Sequence, residues 1–145
     1  MRPDQPSGGR LARAWRLIAH QHTDPWKLAV AVGVGVFVGL TPFYFLHSLL
    51  AAGLAWALRL NIAVAVLGTQ VANPFFAPGL IVASVWVGNA LGGPQGGASS
   101  WSPADPAFWA SWLRGGLVLG TLMGTGLGLL TYAGILLARS RRRDA

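Results

Sequence analysis

The chain has no cysteine and no glutamate, and its four aspartates (Asp4, Asp24, Asp105, Asp144) stand outside its long apolar stretches. Without thiols there is no disulfide, no thiolate metal site and no cysteine nucleophile. Without carboxylates at depth there is no acid–base pair within those stretches. Charge of either sign is scarce: none falls between Lys27 and Arg59, and none between Arg59 and Asp105. A soluble domain does not usually forgo charge for that long, so the whole stretch reads as bilayer-embedded. Nucleophile elbow, phosphate loop and zinc signature are all missing. The glycines from Gly33 to Gly39 have the wrong spacing and setting for a dinucleotide fingerprint. His20 and His22, two apart and without an acidic neighbour, make no metal pair. The residues thus point to no enzyme, no cofactor and no metal.

What is present fits a small integral membrane protein. The 145 residues amount to one domain, with 20 glycines, 9 prolines and 7 tryptophans; Gly, Pro and interfacial Trp are all commoner in membrane proteins than in soluble ones. The net charge of +7 is clustered at the two ends, flanking apolar spans. That distribution argues against nucleic acid, which calls for a basic face interleaved with aromatics, and for anionic lipid headgroups. No short apolar segment with a small-residue cleavage site precedes the first long span, so a cleavable signal peptide is not expected.

Three segments follow from composition. Residues 1–23 form a basic N-terminal segment: after a polar start, Leu11, Trp15 and Ile18 share one helical face, and Arg10, Arg13, Arg16 and His20 lie mostly on the other. Such a helix can lie in the headgroup plane, the alternative being a frayed cytoplasmic tail. Residues 24–138 form a single membrane domain, and residues 139–145 a basic cytoplasmic tail. Asp24-Pro25 supplies an N-cap and a first helical residue, with Trp26 and Lys27 at headgroup level.

Within the membrane domain two apolar units are each interrupted by a proline. Leu28–Leu58 as one straight helix would measure roughly 46 Å, too long for a hydrocarbon core of about 30 Å; Thr41-Pro42 breaks it. Ile62–Leu91 repeats the plan around Asn73-Pro74. Ala29-Val30-Ala31-Val32 precedes one break, Ala63-Val64-Ala65-Val66 the other, and aromatics follow each proline. Paired breaks of this kind occur in many transporter folds. A Gly/Pro/Ser-rich loop over 92–106 then leads to a third span from about Phe108 to Ala138, where Gly116, Gly120, Gly124 and Gly128 line one face. Gly35 and Gly39 have the same small-residue spacing. The expected fold is all-α: a small helical bundle of two proline-broken units, kinked or re-entrant, plus a Gly-rich C-terminal transmembrane helix. Both basic ends should face the cytoplasm, so the crossings sum to an even number. That favours the first unit as a re-entrant hairpin and the second as a kinked crossing returned by the third span.

Candidate substrate-binding residues sit at the breaks and the turn between units. They are Thr41, Pro42 and His47 at the first break, Arg59 and Asn61 at the turn, and Thr69, Asn73 and Pro74 at the second break. His47 stands as the ionisable group inside an apolar run, a functional candidate or a hydrogen-bonded packing residue. Asn73 can cap a half-helix whose N-terminus would suit an anion, or merely satisfy broken backbone bonds, as Thr69 and Gln70 can. Arg59 can bind a lipid phosphate or snorkel.

These residues, in this order, resemble a known family. The segments Pro25–Ala29 and Gly33–Tyr44, His47, Arg59-Leu60-Asn61, Leu67-Gly68-Thr69, and Asn73-Pro74 followed by Pro78 are similar to the small bacterial membrane proteins catalogued as domain of unknown function 2062. The likeness covers roughly residues 24–138. The family pattern often has glycine where Phe45 stands and Thr after Asn-Pro, where this chain has Phe75. The resemblance implies an integral protein of the bacterial inner membrane, a fold family and a location rather than a mechanism. The expected role is handling of an amphipathic or anionic substrate such as a lipid phosphate. The alternative is a non-catalytic scaffold or accessory subunit whose glycine ridge docks a larger membrane partner or a second copy.

Overall fold

The computed structural model describes residues 24–43, 45–92 and 101–141. The basic N-terminal segment therefore lies outside the described residues, as do most of the 92–106 loop and the last four residues. The described elements are α1 (Pro25–Gly39), α2 (His47–Ala57), α3 (Ile62–Gly68) running into a 3-10 turn (Thr69–Ala72), α4 (Ala77–Ala90) and α5 (Pro106–Arg141). All regular structure among them is helical.

Helix starts follow the sequence signals, with one exception. Asp105 Oδ1 accepts the Ala107 N–H at 2.8 Å, a side-chain cap with Pro106 behind it. Asn61 Oδ1 accepts the Val64 N–H at 3.1 Å and so caps α3. Asp24 occupies the N-cap of α1 with Pro25 inside, but its carboxylate makes no capping bond. It lies instead 3.8 Å from Lys27 Nζ. The third span is longer than its apolar run, since α5 extends through both polar flanks to 36 residues.

The run Val30–Val36 alternates valine with small residues, a pattern that in water favours a strand. It is helical here, and the alternation has a different consequence. Residues two apart on a helix lie about 200° apart, so Gly33 and Gly35 face opposite ways. Gly33 meets the backbone of Gly124, while Gly35 meets Ala65 and Gly68. Helix α1 is thus clasped between α5 and α3, each seated on its own strip of small residues.

Leu40, Phe37, Gly33 and Ala29 meet Gly116, Gly120, Gly124 and Gly128 in turn, so α1 and α5 run antiparallel. The start of α1 and the basic end of α5 lie at the same end of the bundle. Helix α2 folds back alongside α1, burying Ala31, Val38, Ala51, Ala55, Leu60 and Ala65 in one cluster. A second cluster, Val85, Phe108 and Trp112, joins α4 to the beginning of α5.

Among the described residues, one helix, α5, is by length and composition long and apolar enough to cross a membrane. The segments Ile62–Ala72 and Ala77–Ala90 qualify together, bent by 81° at their break. Helices α1 and α2, at roughly 22 and 16 Å by the helical rise, are too short to cross a core of about 30 Å.

Candidate functional site

At the first break the backbone turns out of α1 after Gly39. Buried Thr41 donates its hydroxyl to the Val38 carbonyl at 2.6 Å. That hydroxyl serves the carbonyl that the missing Pro42 N–H leaves open, and the Thr41 carbonyl, beyond the end of α1, accepts from His47 Nε2 at 2.8 Å. His47 opens α2, so its imidazole ties the two arms of the break together. Phe45, between them, has a left-handed backbone (φ 69°) and a fully exposed ring.

The second break repeats the chemistry. Buried Thr69 donates its hydroxyl to the Val66 carbonyl at 2.7 Å. Asn73 Oδ1 accepts two N–H groups, Phe75 at 3.0 Å and Phe76 at 3.1 Å. The Asn73 carbonyl accepts from Ala77 N at 2.9 Å, an ordinary helical bond. Asn73 and Pro74 therefore form a side-chain-capped turn that leads into α4, and Asn73 satisfies donors that would otherwise face an anion. Phe75 and Phe76 pack edge to face at 5.1 Å and remain largely exposed.

The two breaks touch. A Cβ on Gly39 would lie 3.1 Å from the Thr69 carbonyl oxygen and 3.3 Å from its Cα. Thr41, Pro42 and His47 thus share one end of the α1–α3 pair with Thr69. Arg59 and Asn61 are elsewhere, one α2 length from His47, or about 16 Å by the helical rise. Their local roles are legible. The Leu60 N–H reaches the Ala55 carbonyl (2.7 Å) and the Arg59 N–H the Trp56 carbonyl (3.1 Å). With Arg59 left-handed at φ 53°, this is the glycine-type helix stop of the Schellman motif. Arg59 terminates α2, buried Leu60 anchors the turn, and Asn61 starts α3.

A family model described as "Uncharacterized protein conserved in bacteria (DUF2062)" matches residues 10–144. The chain belongs to this family. No curated protein and no solved structure matches it. The Gly-Leu-Thr-Pro, Arg-x-Asn, Gly-Thr and Asn-Pro segments that carried the likeness to DUF2062 are the helix ends and contacts just described. They build the two breaks and the turn between the units.

Two features of this DUF2062 chain escaped the sequence reading. The ridge Gly116, Gly120, Gly124 and Gly128 packs on α1, but α5 also uses an adjacent strip. Gly115 lies on the Ser84 backbone and Gly88 on that of Ser111. The signal was present as Ser84-x-x-x-Gly88 and Ser111-x-x-x-Gly115. The hydroxyls of Ser84 and Ser111 and Asn89 Oδ1 are buried there without a hydrogen-bond partner. Arg114 is the second omission: His47 is not the sole ionisable group in an apolar run, because this half-buried guanidinium lies inside the third span.

Proposed function

We propose that this DUF2062 protein is a multi-pass protein of the bacterial inner membrane that handles an amphipathic, anionic lipid-like substrate at its paired helix breaks. The contact between Gly39 and Thr69 carries this reading, because it makes one locus of two interruptions distant in sequence. Broken helices in membranes are tolerated where they line a cavity or are buried in protein, and paired ones mark binding sites in many transporters. Exposed Phe43, Phe45, Phe75 and Phe76 flank the breaks, an apolar setting suited to a lipid tail. The first unit is then a re-entrant hairpin, the second a bent crossing, and α5 the return. Both termini are then cytoplasmic, a reading supported by the basic residues at the two ends of the chain.

No catalytic constellation enters this reading. The scaffold alternative relied on the glycine ridge as a docking face, and α1 already occupies that ridge.

The test is lipid translocation. Purified protein is reconstituted into phosphatidylcholine–phosphatidylglycerol vesicles carrying a trace of headgroup-labelled phosphatidylglycerol, and the label is reduced from outside. Exchange between leaflets should exceed that of empty vesicles and fall in Gly39→Leu. Rates equal to empty vesicles would sink the proposal.

A further inference from the structure

An elongated groove of about 510 Å³ runs between α1 and α5, with Leu54 of α2 on its wall. It extends from Trp26 and Tyr132 to Phe37 and Gly120, which is about 17 Å along α1 at the helical rise. Its walls are apolar side chains and the glycine backbone of α5, a lining that suits a hydrocarbon chain lying along it.

The polar side-chain groups along the groove are the hydroxyls of Thr121, Thr125 and Tyr132 and the indole N–H of Trp26 at its mouth, and Thr121 already donates to the Leu117 carbonyl at 2.7 Å. Nothing on the walls can pair a charge.

The mouth differs from the walls. Trp26 and Tyr132 are the residues expected at headgroup level, and they mark one end of the groove. The same end of the bundle bears Arg139 and Arg141 in the last turn of α5. The adjacent Lys27 is paired with Asp24, so the balance there is positive.

We infer that this groove seats one acyl chain of an anionic phospholipid, with its phosphate at the basic end of α5. The inference rests on the membrane reading above and adds a second, separate lipid site to it.

The experiment counts retained lipid. Full-length protein is taken from equimolar phosphatidylcholine–phosphatidylglycerol vesicles into mild detergent and weighed by native mass spectrometry. Wild type should keep one phosphatidylglycerol. Val34→Trp and Thr125→Trp, which fill the groove from opposite walls, should each lower that occupancy about tenfold. Leu122→Trp, elsewhere on α5, should leave it unchanged. If Val34→Trp fails to fold, Thr125→Trp decides. Equal retention in the filled variants overturns the site, and equal retention of phosphatidylcholine overturns its charge preference. Dissociation of an oligomer in the filled variants would mean that a second copy occupies the groove and also overturns the inference. Lipid lost with translocation intact separates this site from the breaks, and lipid retained without translocation sinks the functional proposal alone.

Discussion

Gly39 lies against the backbone of Thr69, with room for a hydrogen where any other residue would carry a Cβ 3.1 Å from the carbonyl oxygen. That contact joins the two helix breaks. Gly39→Leu should separate them at a cost of about 1–3 kcal/mol, the usual range for overpacking. Thermal unfolding in detergent would register the loss, and a cysteine at Thr69 should become more reactive in the variant. The chain has no native cysteine to obscure that signal.

Phe45 holds a left-handed backbone with φ 69° and buries none of its ring. A residue with a Cβ is disfavoured there and glycine is not. Phe45→Gly should therefore stabilise the fold by roughly 0.5–1 kcal/mol, seen as a rise in Tm. An unchanged or lowered Tm would mean that the exposed ring makes contacts in the bilayer worth at least as much.

Asn73 accepts two N–H groups in the turn that leads into α4. Asn73→Ala should cost about 1 kcal/mol, while Asn73→Asp keeps the acceptor and adds a favourable charge at a helix N-terminus. A chemical denaturation series on the three proteins should rank Ala lowest, with Asp close to wild type. If Asn73→Ala is neutral for stability but lowers lipid translocation, the amide serves the substrate rather than the helix.

Gly115 packs on the backbone of Ser84, and Gly88 on that of Ser111. Backbone cannot retreat as a flexible side chain does, so Gly115→Leu should part α4 from α5 at a cost of at least about 3 kcal/mol. Loss of folded protein on size exclusion is the expected result. Gly126→Leu, on an open face of the same helix with nothing within 4 Å, should behave as wild type.

Arg59 stops α2 in a left-handed conformation at φ 53°. Arg59→Gly should keep the turn, whereas Arg59→Val should weaken it by about 1–2 kcal/mol, because a branched Cβ is worst placed there. Comparing both by Tm and by binding to phosphatidylglycerol vesicles separates the backbone role from the charge. Weaker binding in Arg59→Gly at unchanged Tm would assign the guanidinium to lipid.

The sequence by itself determined where helices start and stop and which faces are small. Asn73 acts through bonds within a few residues, so local order suffices to read it as a cap. Asp105 and Asn61 act the same way, although the sequence reading placed Asp105 in a loop and Asn61 among the binding candidates. Local order also suffices for the four glycines of α5, whose spacing puts them on one face whatever lies opposite. Only the tertiary structure decided what each face meets. Val30–Val38 carries small residues on both sides, and nothing in its order says that Gly33 belongs to α5 and Gly35 to α3. Nor does spacing say that Gly39 closes on Thr69, that Thr41 finds its partner in His47, or that Arg59 ends up one helix length from the breaks. The physical reason is that small-residue packing is a contact between backbones, made through hydrogens that any glycine offers. With so little side chain to choose a partner, the pairing is set by the lengths of the helices and the angles of the two proline breaks.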